Sequence, residues 1–115
     1  MQRRLRLTRS DDINRVRQKG RSLANTILVL GFLPNDLNQN RIAVIAGRSV
    51  GGAVQRNFAK RRLKSAIQSL IMNFDQGFDL VLVARKPILS VDYALIVKGL
   101  RNLALQAGLM KDEAN

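Results

Sequence analysis

At 115 residues the chain is one domain long, and with 46% apolar residues but only four Phe, one Tyr and no Trp, its core must be mostly Leu, Ile, Val and Ala. Twenty Lys and Arg against eight Asp and Glu leave a net charge of +12, so a polyanionic partner is the first expectation. The absence of Cys and His excludes disulfides, thiolate zinc sites and cysteine nucleophiles, and it removes the commonest general base and metal ligand.

Taken in chain order, Ser10 is placed to cap a helix of about two turns. Asp11 and Asp12 sit in its first turn, Ile13 and Val16 face inward, and Gly20 is its stop. Thr26 to Leu33 reads as a strand and Pro34 to Asn40 as its turn; Arg41 to Gly47, built on Ile42, Val44 and Ile45, reads as a second strand antiparallel to the first. After Gly51 and Gly52 the period becomes helical, and Leu63, Ala66, Ile67, Leu70, Ile71 and Phe74 fall within about 140° of the wheel. Asp79 to Ala84 reads as a buried strand. A last helix is predicted from a cap at Asp92 to Gly108, with Tyr93, Ile96, Val97, Leu100 and Leu103 inward. No linker or repeat divides this order, so it reads as a single α+β domain over residues 1–115. The longest apolar run, Ile27 to Leu33, contains Gly31 and is far short of the roughly 20 residues of a membrane helix. The basic start from Met1 to Arg9 has no apolar segment behind it. A soluble, cytoplasmic protein is expected.

The charge is uneven. Residues 1 to 21 carry eight cations, and the stretch between Leu37 and Phe74 carries seven with no acid among them: Arg41, Arg48, Arg56, Lys60, Arg61, Arg62 and Lys64. Asn57, Arg61, Lys64 and Gln68 form one polar line on the predicted helix, as any solvated face would show. Arg56 and Lys60 fall instead at the margin of the apolar arc, where either their stems snorkel to water or their charges line a groove. Five cations in residues 56 to 64 repel one another by a few tenths of a kcal/mol per close pair, and a phosphate backbone relieves that repulsion. Gly51 and Gly52 before a helix allow close approach of an anionic oxygen, although the pair is also an ordinary turn. The spacing of a P-loop is missing, as are the paired strand aromatics that stack bases in an RRM. The scattered carboxylates suit caps and a tail better than a two-metal site, and Ser49 and Ser65 have no His to activate them. Lys60, flanked by Arg56 and Arg61, suits a phosphate binder better than a nucleophile.

Val50-Gly-Gly-Ala-Val54, followed by Gln55-Arg56-Asn57-Phe58-Ala59-Lys60-Arg61, resembles the joined motif of the protein component of bacterial ribonuclease P. Arg4-Leu5, Asp12-Ile13 with Val16 and Gly20, Leu28 to Leu30, Arg41 to Gly47, and Asp79 through Arg85-Lys86-Pro87 are similar in order and spacing. The resemblance implies a four-stranded mixed sheet packed with helices, in the order αβββαβα, with a left-handed βαβ crossover where the general rule gives the right-handed form in about 98% of cases. It also implies an accessory protein to a catalytic RNA that removes the 5′ leader from precursor tRNA. In that reading the RNA carries the hydrolysis with Mg2+, no cofactor is bound tightly by the protein, and neither membrane nor DNA is a partner. Arg48, Arg56, Asn57, Lys60, Arg61 and Lys64 would contact the catalytic RNA. The sheet face and first helix would form the leader cleft and help magnesium bind. The family's third motif residue, usually Arg, is Phe58 here, with Arg62 as the candidate replacement for the charge. Cleft positions that often carry aromatics are Ile13, Arg17 and Gly31, so Arg17 is predicted to hold a leader phosphate. Two competing readings are a structural RNA-binding protein of the same small fold and a protein-only nuclease.

Overall fold

A short polar turn starts the strand layer. Asn25 Oδ1 accepts the backbone N–H groups of Ile27 at 2.8 Å and Leu28 at 2.9 Å, an Asx turn that takes Thr26 and Ile27 out of the predicted strand and reverses the chain. The hairpin joins β1 (Arg21–Ala24) to β2 (Leu28–Pro34). The computed structural model describes residues 5–111. Arg4, the basic start before it and the tail acids Asp112 and Glu113 lie outside the described residues. The other elements are α1 (Ser10–Lys19), β3 (Arg41–Ile45), α2 (Ala53–Leu70), β4 (Phe78–Ala84) and α3 (Tyr93–Ala107), with 3-10 turns at Ile71–Asn73 and Lys86–Leu89. Among these helices none is long and apolar enough to cross a membrane.

The sheet order is β1-β2-β4-β3, antiparallel except for the parallel pair β3 and β4. The Arg41 strand does run opposite to the Leu28 strand, but β4 lies between them, because the chain passes through α2 before filling the middle of the sheet. Alternation sends Leu28, Leu30, Ile42, Leu80 and Leu82 to one face, where Leu63 and Ile67 of α2 and Ile96 and Leu100 of α3 bury them. Val16 of α1 and Leu7 cover Ala43 and Val81 on the other face. That cover is partial, since Val29, Ile45 and Val83 there stay half-buried.

Backbone chirality settles the hand of the crossover. In an L-residue strand running upward with a side chain toward the viewer, that residue's own N–H and C=O point right. Seen from the α2 and α3 layer, Ile42 faces the viewer, and its carbonyl accepts the Leu7 N–H at 2.7 Å. Residue 7 therefore lies to the right of β3 and β4 to its left. Arg85, whose neighbour Ala84 faces the viewer, donates its N–H to Ile27 on the other side of β4, which gives the same hand. With α2 in front, β3-α2-β4 turns left-handed, as the resemblance implied.

Local differences from the sequence reading have specific causes. Helix α1 spans 10 residues, and Arg9 rather than Ser10 is its cap residue, with no side-chain hydrogen bond. Gly20 does end it, because a Cβ there would sit 2.5 Å from the Val16 carbonyl oxygen and 2.6 Å from that of Phe32. Helix α2 stops at Leu70, and a 3-10 turn carries Phe74 into a bridge with Met110, so Phe74 is buried without being helical. Asp92 occupies the cap position of α3 without a side-chain bond to it, and Gly108 closes the helix at φ 75°. Tyr93 is 40% exposed rather than inward, because its hydroxyl is partnered at the surface by Ser65 Oγ, 2.8 Å away.

Candidate nucleic-acid interface

Helix α2 carries two faces. Ala59, Leu63, Ala66, Ile67 and Leu70 are buried against the sheet. Asn57, Arg61 and Lys64 are exposed on the outer side, while Arg56 and Lys60 are half-buried at the margin between the two. Val54, Asn57, Lys60, Arg61 and Lys64 line one shallow groove along the helix. Lys64 also borders a second groove, shared with Arg6, Ile13 and Ile45. Arg48 is exposed in the turn that precedes the helix, where its carbonyl accepts the Gly51 N–H. The structure thus brings Asn57, Lys60, Arg61 and Lys64 together, with Arg56 on the inner margin and Arg48 in the approach to the helix.

Two of the seven cations in the acid-free stretch are already engaged. Arg41 grips Asp79 with two bonds of 2.8 Å. Arg62, the candidate replacement for the missing motif charge, does not join the groove. Its guanidinium donates to the carbonyl oxygens of Ile88 at 3.0 Å and Val91 at 2.6 Å and lies 5.2 Å from the Phe58 ring centre. Its place on the wheel turns it toward the β4-α3 connection. Arg48, Arg56, Lys60, Arg61 and Lys64 have no acidic partner among the described residues.

The opposite sheet face carries a cleft of about 260 Å³, bounded by Val16 and Arg17 of α1 and by Ser22, Val29, Gly31 and Val83 of the strands. Gly31 keeps it open: a Cβ there would rest 3.5 Å from Val16 Cγ1, and anything larger would fill the space. Of the three residues assigned to a leader cleft, Arg17 and Gly31 share this one. Ile13, one helical turn earlier, packs beside Leu7 and Val16 and opens into the Lys64 groove instead.

The sequence reading missed an ion cluster that fastens α1 to the sheet. The Asp79 side chain is fully buried and accepts from Arg41 and from Asn35 Nδ2 at 2.9 Å. Asp12 pairs with Arg15 at 3.0 Å and lies 3.6 Å from Arg41. Burial pushes the Asp79 carboxyl up, but the bonds from Arg41 and Asn35 outweigh it and hold the group below its ordinary value. The same hydrogen bond, donated to Asp79, outweighs desolvation and raises Arg41. An acid opening an otherwise apolar strand was the available signal. Among the described residues no cluster of three possible ligands could hold a metal ion, and Asp12 and Asp79 are spent on guanidiniums. These residues do not fit a magnesium site.

The family model described as Ribonuclease P matches residues 1–108. The chain belongs to the ribonuclease P protein family. Membership gives it a role in ribonuclease P, a tRNA-processing enzyme. The ribonuclease P protein components of Chloroflexus aurantiacus and Clostridium kluyveri are 34% and 35% identical to it. Their alignments cover 100% and 92% of this chain and 86% and 96% of theirs. The fold matches the RNase P protein of Staphylococcus aureus with a TM-score of 0.82 at 23% identity, covering 93% of this chain and 98% of that one. For the Thermotoga maritima RNase P protein the TM-score is 0.77 at 28% identity, over 85% and 93%.

Proposed function

We propose that this ribonuclease P protein is the RNA-binding subunit of the enzyme, gripping the catalytic RNA through α2 and the 5′ leader of precursor tRNA through the sheet-face cleft. The observation that carries the reading is a set of cations with no acidic partner among the described residues: Arg56, Lys60, Arg61 and Lys64 on a helix whose other side is committed to the core, and Arg48 in the turn before it. Unpaired cations on a rigid rod neutralise phosphates and release counterions, at little ordering cost to the protein. Asn57, in the same groove, supplies a neutral hydrogen-bonding group beside them.

The cleft suits a single strand by shape. Its floor is Val and Gly, and Arg17 at the rim is exposed, so a leader would be tracked by its phosphates and apolar contact rather than by stacking. Hydrolysis and Mg2+ belong to the RNA in this reading, since the protein offers neither a His nor a Cys and, among the described residues, no free carboxylate cluster. The test is precursor cleavage by the catalytic RNA at low magnesium, with and without the protein. Added protein should restore leader removal; an unchanged rate would refute the proposal.

A further inference from the structure

Beside the cationic groove runs a strip of different chemistry. Val54 and Phe58 are one turn apart on α2 and are exposed by 79% and 38%; Tyr93 reaches the same helix through Ser65. On the wheel Val54, Phe58, Arg61 and Ser65 fall within about 60°, so an exposed aromatic ring sits among the outward cations. Its two guanidinium neighbours differ. Arg62 is tied to the Ile88 and Val91 carbonyls and cannot leave. Arg61, 5.9 Å from the ring centre and exposed, makes no hydrogen bond or ion pair among the described residues.

We propose that Phe58 stacks an unpaired nucleobase of the RNA partner while Arg61 leaves the ring for a phosphate of the same strand. The inference rests on the RNA-binding reading above and adds to it a contact that carries no charge. Three features select this occupant. The flanking side chains are cationic with no acidic partner among the described residues, which favours an anionic partner. A second copy of this chain, itself at +12, is repelled. A flat ring backed by a fixed guanidinium presents a π-face at little ordering cost, which suits a base better than an acidic peptide. Phe58, in the position where the motif usually has Arg, thus exchanges a phosphate contact for a stacking one.

The test measures binding of the full-length protein to an in vitro transcribed bacterial ribonuclease P RNA across a salt series. Phe58→Leu keeps an apolar side chain but removes the ring, and should weaken binding about tenfold with the salt slope unchanged, because no counterion is involved. Phe58→Trp should bind as tightly as the wild type. Its indole, alone in a chain with no native Trp, should be quenched at saturating RNA. Wild-type affinity in Phe58→Leu, a slope reduced by about one unit, or indole emission indifferent to RNA would each overturn the proposal. A dimer of the free protein that dissolves on Phe58→Leu would overturn it too, by making the strip a self-association surface. Failure of the unaltered chain to bind the RNA strikes the function proposed above instead, and is told apart because it needs no substitution.

Discussion

Two regions of this molecule use the same residue type in opposite ways. At the α1 end of the sheet, Arg15 and Arg41 are matched by Asp12 and Asp79, and the cluster fastens a helix to strands. On α2, Arg56, Lys60, Arg61 and Lys64 stand on one helix with no acidic partner among the described residues. The first arrangement stabilises the fold. The second costs stability through mutual repulsion, which a polyanion outside the protein would relieve in the proposed function. What separates structural from functional arginines is therefore the neighbourhood and not the residue.

The contrast is broken most severely by removing the buried acid. Asp79→Ala leaves Arg41 without its bidentate partner and should cost about 3 kcal/mol, read as a lower denaturant midpoint, while the salt slope of RNA binding stays as it was. Leu63→Ala, beneath the basic face, should cost about 2 to 5 kcal/mol by opening a cavity, again without altering the slope of the protein that remains folded. Acid titration separates the regions without mutation. The Asp79 carboxyl is held below its ordinary value in the folded state, so its contribution is fully present above the unfolded value of about 3.9 and is lost as pH falls through the folded one. Stability measured from pH 6 to pH 2 should fall in that window in the wild type and fall less in Asp79→Asn.

The α2 cations should behave in reverse. Arg56→Ala and Lys60→Ala should each reduce the salt slope by about one unit and raise thermal stability slightly by relieving their mutual repulsion. An unaltered slope would return either residue to a stem lying on apolar surface with its charge in water. The smallest effect belongs to Arg17→Ala. Precursors with a leader should bind more weakly, by about one phosphate contact, while mature tRNA should be unaffected.

The basic helix was legible in the sequence because helical periodicity is local. Leu63, Ile67 and Leu70 mark the buried side, and Asn57, Arg61 and Lys64 follow as its opposite. Strand β1 was not legible from its residues: it is an edge strand with only Leu23 turned partly inward, so Arg21–Ala24 has no apolar alternation to read. Tyr93 was read as core because its spacing matches Ile96 and Leu100, and only the crossing of α3 over α2 supplied the Ser65 hydroxyl that keeps it at the surface.

The chain alone determined what depends on composition and near neighbours: the excess of cations, the lack of thiol and imidazole, the amphipathic α2, and the joined motif from Val50 to Arg61. Tertiary structure decided everything that joins distant residues. It paired Arg41 with Asp79, 38 residues away, drew Arg62 toward carbonyls beyond β4, placed β4 between β2 and β3, and parted Ile13 from Arg17 and Gly31. The reason is physical. Periodicity records which side of an element is apolar, whereas the partner of a charge depends on which elements the folded chain brings alongside, and that information is spread over the whole polymer.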